Sequence, residues 1–259
     1  MSWLRLVLLS IVLSTLANPA WSHPDLLAQI EALDLKIQEQ ANNVDLLIKR
    51  GDLHRRHQDY SAATRDFEAA RKTEPTHSVL DFYQGRLLLE LGKLAGAEDY
   101  LSRYVKSHPE HAKAWILRGE ASIGLNNPLK ANEYFSQAIQ RSKSPSPDMY
   151  RQQILSLVVI GHSKFPAALQ AVNNGLQQFG IEVTLLGLGV DISLASNQLT
   201  QAQLYLDMLP KPLFKLPQWK ERLNRVDCLA ANDQSTAQHC ITQAKGRLAS
   251  QINVFINSY

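Results

Sequence analysis

The chain has 259 residues, is 45% apolar, 20% charged and 7% aromatic, and carries 27 Lys plus Arg against 24 Asp plus Glu, a net charge of +3. This composition excludes a disordered chain, a collagen-like fibre and a multi-span membrane protein, and so small and scattered a positive excess leaves no nucleic-acid footprint. Two cysteines cannot build a disulfide framework, so the fold has to rest on apolar packing.

Residues 1–22 read as a secretory signal peptide. Arg5 supplies the positive start, Leu6 to Leu16 form a short apolar run, and Ala20-Trp21-Ser22 places small residues where cleavage before His23 requires them. The run is short for a membrane span of about 20 residues, and no second long apolar run follows. The expected mature product is an exported protein without a membrane span, periplasmic in a Gram-negative cell and otherwise secreted.

Residues 23–43 are expected to hold an amino-terminal capping helix. Leu26, Leu27, Ile30, Leu33 and Ile37 form a helical apolar stripe, opened by Pro24 and Asp25.

A period of 34 residues follows. Gly51, Gly85 and Gly119 recur in one register, Ala63, Ala97 and Ala131 in a second, and Pro75 and Pro109 in a third. Phe67, Leu101 and Phe135 share a further slot, and Ala70 and Ala138 another. With position 1 set at Val44, Ser78 and Ala112, the pattern resembles the tetratricopeptide repeat family, which places a large apolar residue at 4, Gly at 8, Ala at 20, an aromatic at 24, Ala at 27 and Pro at 32. Position 7 departs from the family's leucine with Arg50, Gln84 and Arg118, a departure expected to loosen the helix packing.

The resemblance implies an all-α, right-handed superhelical solenoid of helical hairpins, closed by capping helices at both ends. Gly at 8 and Ala at 20 let the two helices of a hairpin approach closely, and Pro at 32 ends the second helix. One hairpin cannot bury its own apolar face, so neighbours must stack. Residues 44–145 hold three well-defined repeats. Residues 146–217 hold two degenerate ones, from Met149 after a three-residue slip and from Val183, and then a proline-rich loop. Residues 218–259 hold a degenerate sixth repeat and a carboxy-terminal cap lined by Leu248, Ile252, Phe255 and Ile256. The basic stretch from Pro210 to Arg225 reads either as a connection or as a contact surface for an acidic partner or anionic head groups.

Signatures of catalysis are missing: the sequence has no G-x-S-x-G, no G-x-x-x-x-G-K-[ST] and no C-x-x-C. Gly187-Leu-Gly189 lacks the third glycine of a dinucleotide loop and reads as a close helix contact. His54 and His57 stand three apart on a helix, with no third ligand, so no metal or other cofactor is expected. Cys228 and Cys240, at similar heights on the two helices of the sixth unit, are either bonded in an oxidising compartment or two buried thiols.

In the family, the first helices line a concave groove. Carried over by position, that groove holds Asp52, Arg55, Phe82, Tyr83, Arg86, Lys113, Leu117, Glu120 and Tyr150. The family's carboxylate clamp needs Lys and Asn where this chain has Ile48 and Asp52, which disfavours a binder of cytosolic chaperone tails. The expected function is a non-enzymatic scaffold or adaptor of the cell envelope that holds another protein or a peptide. The alternatives are an accessory subunit of an envelope enzyme or assembly complex, and a metal or small-ligand carrier.

Overall fold

The computed structural model describes residues 24–230 and 234–259, so the signal peptide and His23 lie outside the described residues. Among these, thirteen α-helices form and no strand does. Helix α1 (Pro24–Glu39) is followed by the pairs α2 (Val44–Arg56) and α3 (Tyr60–Thr73), α4 (Ser78–Glu90) and α5 (Leu94–Ser107), α6 (Ala112–Gly124) and α7 (Pro128–Arg141). Next come α8 (Pro147–Ile160) and α9 (Phe165–Phe179), α10 (Val183–Ala195) and α11 (Leu199–Asp207), then α12 (Pro217–Ala230) and α13 (Gln234–Ile256).

The periodic residues do what their spacing requires. A Cβ on Gly51 would lie 2.4 Å from the Phe67 ring, and one on Gly119 would lie 2.4 Å from the Phe135 ring. Only glycine admits these helix approaches. Ala63, Ala97 and Ala131 are fully buried on the facing helices. Asn43 and Asn127 accept from the backbone N–H groups of Leu46 and Lys130, capping α2 and α7.

The hairpin turns also repeat. Gln58, Gly92, Asn126 and Asn197 all have left-handed backbone, and each lies 14 residues after the start of its first helix at Val44, Ser78, Ala112 and Val183. Gly161 stands 14 residues after Pro147, so the first helix of repeat four counts from Pro147 and not from Met149. Ala131 follows Ala112 by 19 residues, whereas Ala168 follows Pro147 by 21. Two of the three slipped residues therefore sit within the hairpin, where a 3₁₀ turn over His162–Lys164 lengthens the connection.

The described chain divides into two compact units at Thr73/Glu74. The first holds α1 and the α2–α3 hairpin, with Leu26, Ile30 and Leu53 packed together. Arg50 ties its helices, donating to Asp34 of α1 and, through two nitrogens, to Asp66 of α3. The second unit stacks the remaining helices, and one apolar core runs through it from Ile123 on α6 to Phe255 on α13.

The carboxy-terminal end departs from the expected plan. The second helix of the sixth hairpin and the expected separate cap are one continuous 23-residue helix, α13. It carries no proline, and its one glycine, Gly246, faces open space, so nothing interrupts it. Helix α13 packs on α10, α12 and α8. A disulfide between Cys228 and Cys240 joins α12 to α13, with Cα atoms 6.4 Å apart.

Candidate functional site

The candidate site is the face formed by the first helices of the second unit: α4, α6, α8, α10 and α12. In repeat positions 2, 5, 6 and 9 it presents Tyr83 and Arg86 from α4, and Lys113, Ile116 and Glu120 from α6. Lys113 is exposed and the other four are half-buried. With the register of repeat four counted from Pro147, the same slots on α8 are Asp148, Arg151, Gln152 and Leu155. On α10 they are Thr184, Gly187, Leu188 and Asp191.

Four of the residues placed in the groove by sequence, Arg55, Phe82, Leu117 and Tyr150, are buried. Phe82 is 8% exposed and packs against Tyr83, Tyr104 and His111, in a cluster that also contains Leu117. Phe82 and Leu117 share one apolar cluster between the α4–α5 hairpin and α6, which takes both side chains out of the groove. Tyr150 falls at position 4 once the register is corrected. It packs on Phe179 and donates its hydroxyl to Gln178. In the first unit Arg55 is buried and pairs with Asp52 one helical turn away at 2.8 Å.

The chain's own α13 covers the face over α8 and α10. Gln251 donates to Asp191 at 3.0 Å, and the Arg247 Nε stands 3.4 Å from the same carboxylate. Asp191 is fully buried and takes a two-pronged bond from Arg222 of α12, at 2.9 and 2.6 Å. This accounts for α10, whose eleven residues from Leu185 to Ala195 are all buried. A helix apolar on every side must be covered on every side, so Val183–Ala195 carried a sequence signal for a covering segment. Asp191, the only charge in it, marked the covering side.

The end of α13 reaches the uncovered part of the face. Gln152 donates to the Tyr259 hydroxyl at 3.1 Å. Burial first, and then the neighbouring Glu120 carboxylate, pushes that phenol up to about 12. Burial likewise raises the Glu120 carboxyl above the ordinary range, against the pull of Lys113, a Gln152 hydrogen bond and Arg86, while Asp148 adds to the rise. Glu120, Gln152 and Tyr259 thus mark the boundary between covered and uncovered surface.

His108 and His111, in the connection between α5 and α6, are partly buried. His108 stacks on Tyr104, and His111 lies against Phe82 and Tyr104, where burial and then His108 lower its pKa. His54 lies 4.0 Å from Asp66, and no cluster of three metal-ligating side chains forms among the described residues. In the proline-rich stretch, Leu213 and Phe214 pack on the core and Trp219 is buried. Arg222 and Arg225 turn inward to Asp191 and Glu221, which removes both from a basic contact surface. No helix among the described residues is long and apolar enough to cross a membrane.

These hairpins, with their recurring Gly, Ala and turn residues, define a stacked two-helix repeat protein. A model of the tetratricopeptide repeat family matches residues 48–106 and 82–147, so this part of the chain belongs to that family. Solved structures resemble the fold over more of its length. The C-terminal part of a TPR repeat-containing protein from Cytophaga hutchinsonii has a TM-score of 0.66 at 14% identity, covering 83% of this chain and 88% of that one. YrrB, described as a TPR protein with an unusual peptide-binding site, has a TM-score of 0.61 at 15% identity, covering 81% and 97%. Pseudomonas aeruginosa pilF has a TM-score of 0.60 at 15% identity, covering 78% and 90%. No curated protein matches the sequence significantly. Tetratricopeptide proteins act as scaffolds that bind other proteins or peptides.

Proposed function

We propose that the protein is an exported, non-enzymatic adaptor that holds a segment of another polypeptide on the first-helix face of repeats two and three. The observation that carries this reading is the division of that face. Helix α13 lies over α8 and α10, whereas on α4 and α6 Tyr83, Arg86, Lys113 and Glu120 remain partly or wholly exposed. Aromatic and arginine side chains at half-buried positions provide most of the binding energy at protein interfaces. Two stacked hairpins hold them in place, so a partner segment binds without the scaffold losing much order. The peptide-binding site attributed to YrrB, a protein of similar fold, agrees with a peptide ligand. Export rests on Arg5, the apolar run from Leu6 and the small residues at Ala20 and Ser22.

Replacing Tyr83 and Arg86 together by alanine is expected to cut capture of the partner from a cell-envelope extract by at least about tenfold, the loss of one interface hot spot. Helicity by circular dichroism should stay unchanged. Undiminished capture would remove these residues from the site.

A further inference from the structure

A cavity of about 440 Å³ lies where α8, α10 and α12 meet the covering helix α13. Its size falls in the ~300–1,000 Å³ range of small-molecule sites. The charged residues of its wall are Arg151, Arg222 and Arg247, and no acidic residue lines it. The carboxylates that pair with these arginines do not line it: Asp148 with Arg151, buried Asp191 with Arg222 and Arg247, and Glu221 with Arg247. Glu182, next to the wall in sequence, is turned to cap the Leu185 N–H. The three wall guanidiniums thus have three carboxylate partners, none of which lines the cavity, so the interior meets guanidinium groups and no carboxylate. Because each of those carboxylates already offsets a guanidinium, the wall fits a monoanion better than a phosphate dianion.

The rest of the wall is apolar, with Leu155, Leu188, Trp219 and Phe255. Val183 and Val254, both exposed, extend the apolar lining to the surface. Gly187 keeps the interior open beside the cations, since a Cβ there would stand 3.0 Å from Arg222 Nη2.

We propose that this cavity is a binding site for a small amphipathic carboxylate, its head on the arginines and its aliphatic or aromatic body against Trp219 and Phe255. The site is separate from the polypeptide face of repeats two and three, and its ligand is a small molecule.

Calorimetric titration of the full chain with phenylacetate, 4-phenylbutyrate, octanoate and decanoate tests this, with 4-phenylbutyramide and inorganic phosphate as comparisons. At least one of the four acids should bind saturably at one per chain, the amide at least about tenfold more weakly than 4-phenylbutyrate, as loss of one charge-assisted contact predicts, and phosphate not measurably. Arg151→Gln, at the most exposed of the three arginines, should weaken the bound acid about tenfold with an unchanged melting temperature. Ser250→Trp, which fills the cavity, should abolish binding. No saturable binding by any of the four acids would overturn the proposal, as would an amide that binds as tightly as its acid. Equal affinity in Arg151→Gln would do the same, whether or not Ser250→Trp folds.

Discussion

Arg118 lies nearly buried on α6 and donates to Glu98 of the preceding helix and to the Tyr134 hydroxyl of its own hairpin partner. Arg50 does the same in the first unit, reaching back to Asp34 and across to Asp66. Both sit at position 7, so the expected loosening does not occur: an ion-paired guanidinium fills the slot of a leucine. Such a pair adds little over an apolar side chain, but removing one partner strands a buried charge at about 3–5 kcal/mol. At the corresponding positions of repeat five, Gly189 leaves room for the Tyr205 ring, at 2.9 Å from where a Cβ would lie. Glu120 is the residue whose charge state tests the local environment. Its folded carboxyl binds a proton at a higher pH than the ordinary value of 4.5, so stability falls as pH rises from 4.5 through the folded value. Glu120→Gln is therefore expected to melt higher than the parent at pH 7, with the gap closing towards pH 4.5. Differential scanning calorimetry across that range checks it, and a variant that melts lower at pH 7 would contradict the burial argument.

Helix α1 stands to α2 as the second helix of a preceding repeat would. Asp34 stands 16 residues before Arg50, just as Ser102, which also receives a bond from Arg118, stands 16 before Arg118. Helix α13 has the opposite character, since it leaves the second-helix position and lies on the first helices. Its disulfide to α12 closes a loop with a sequence separation of 12, worth about 3 kcal/mol on the chain-entropy account. Reducing agent, or Cys228→Ser with Cys240→Ser, should lower the unfolding free energy from urea titration by about that amount and the midpoint with it, and α10 amides should lose hydrogen-exchange protection before those of α4–α7. An unchanged midpoint would show that α13 is held by packing alone. The helix starts at Val44, Ser78 and Ala112 were legible because Gly, Ala and Pro at fixed spacing encode local geometry that no distant contact overrides. The position of α13 was not, because which helix face it covers depends on contacts about 60 residues apart, as from Gln251 to Asp191. The misplacing of Tyr150 has a smaller cause: two extra turn residues shift its register, and only the turn geometry at Gly161 reveals them.

At the scale of the molecule, one face does two things. Over repeats four and five it is closed by the chain itself around a buried Asp191, with an arginine-walled cavity left at the seam. Over repeats two and three Tyr83, Arg86, Lys113 and Glu120 stay partly or wholly exposed, and the proposed adaptor role puts a partner segment there. A photo-crosslinking residue introduced at position 86 on α4, and separately at position 170, exposed on α9, tests this most directly in a cell-envelope extract. The account predicts a discrete crosslinked polypeptide from position 86 and none from position 170. Crosslinking from 170 but not from 86, or none from either, would contradict it.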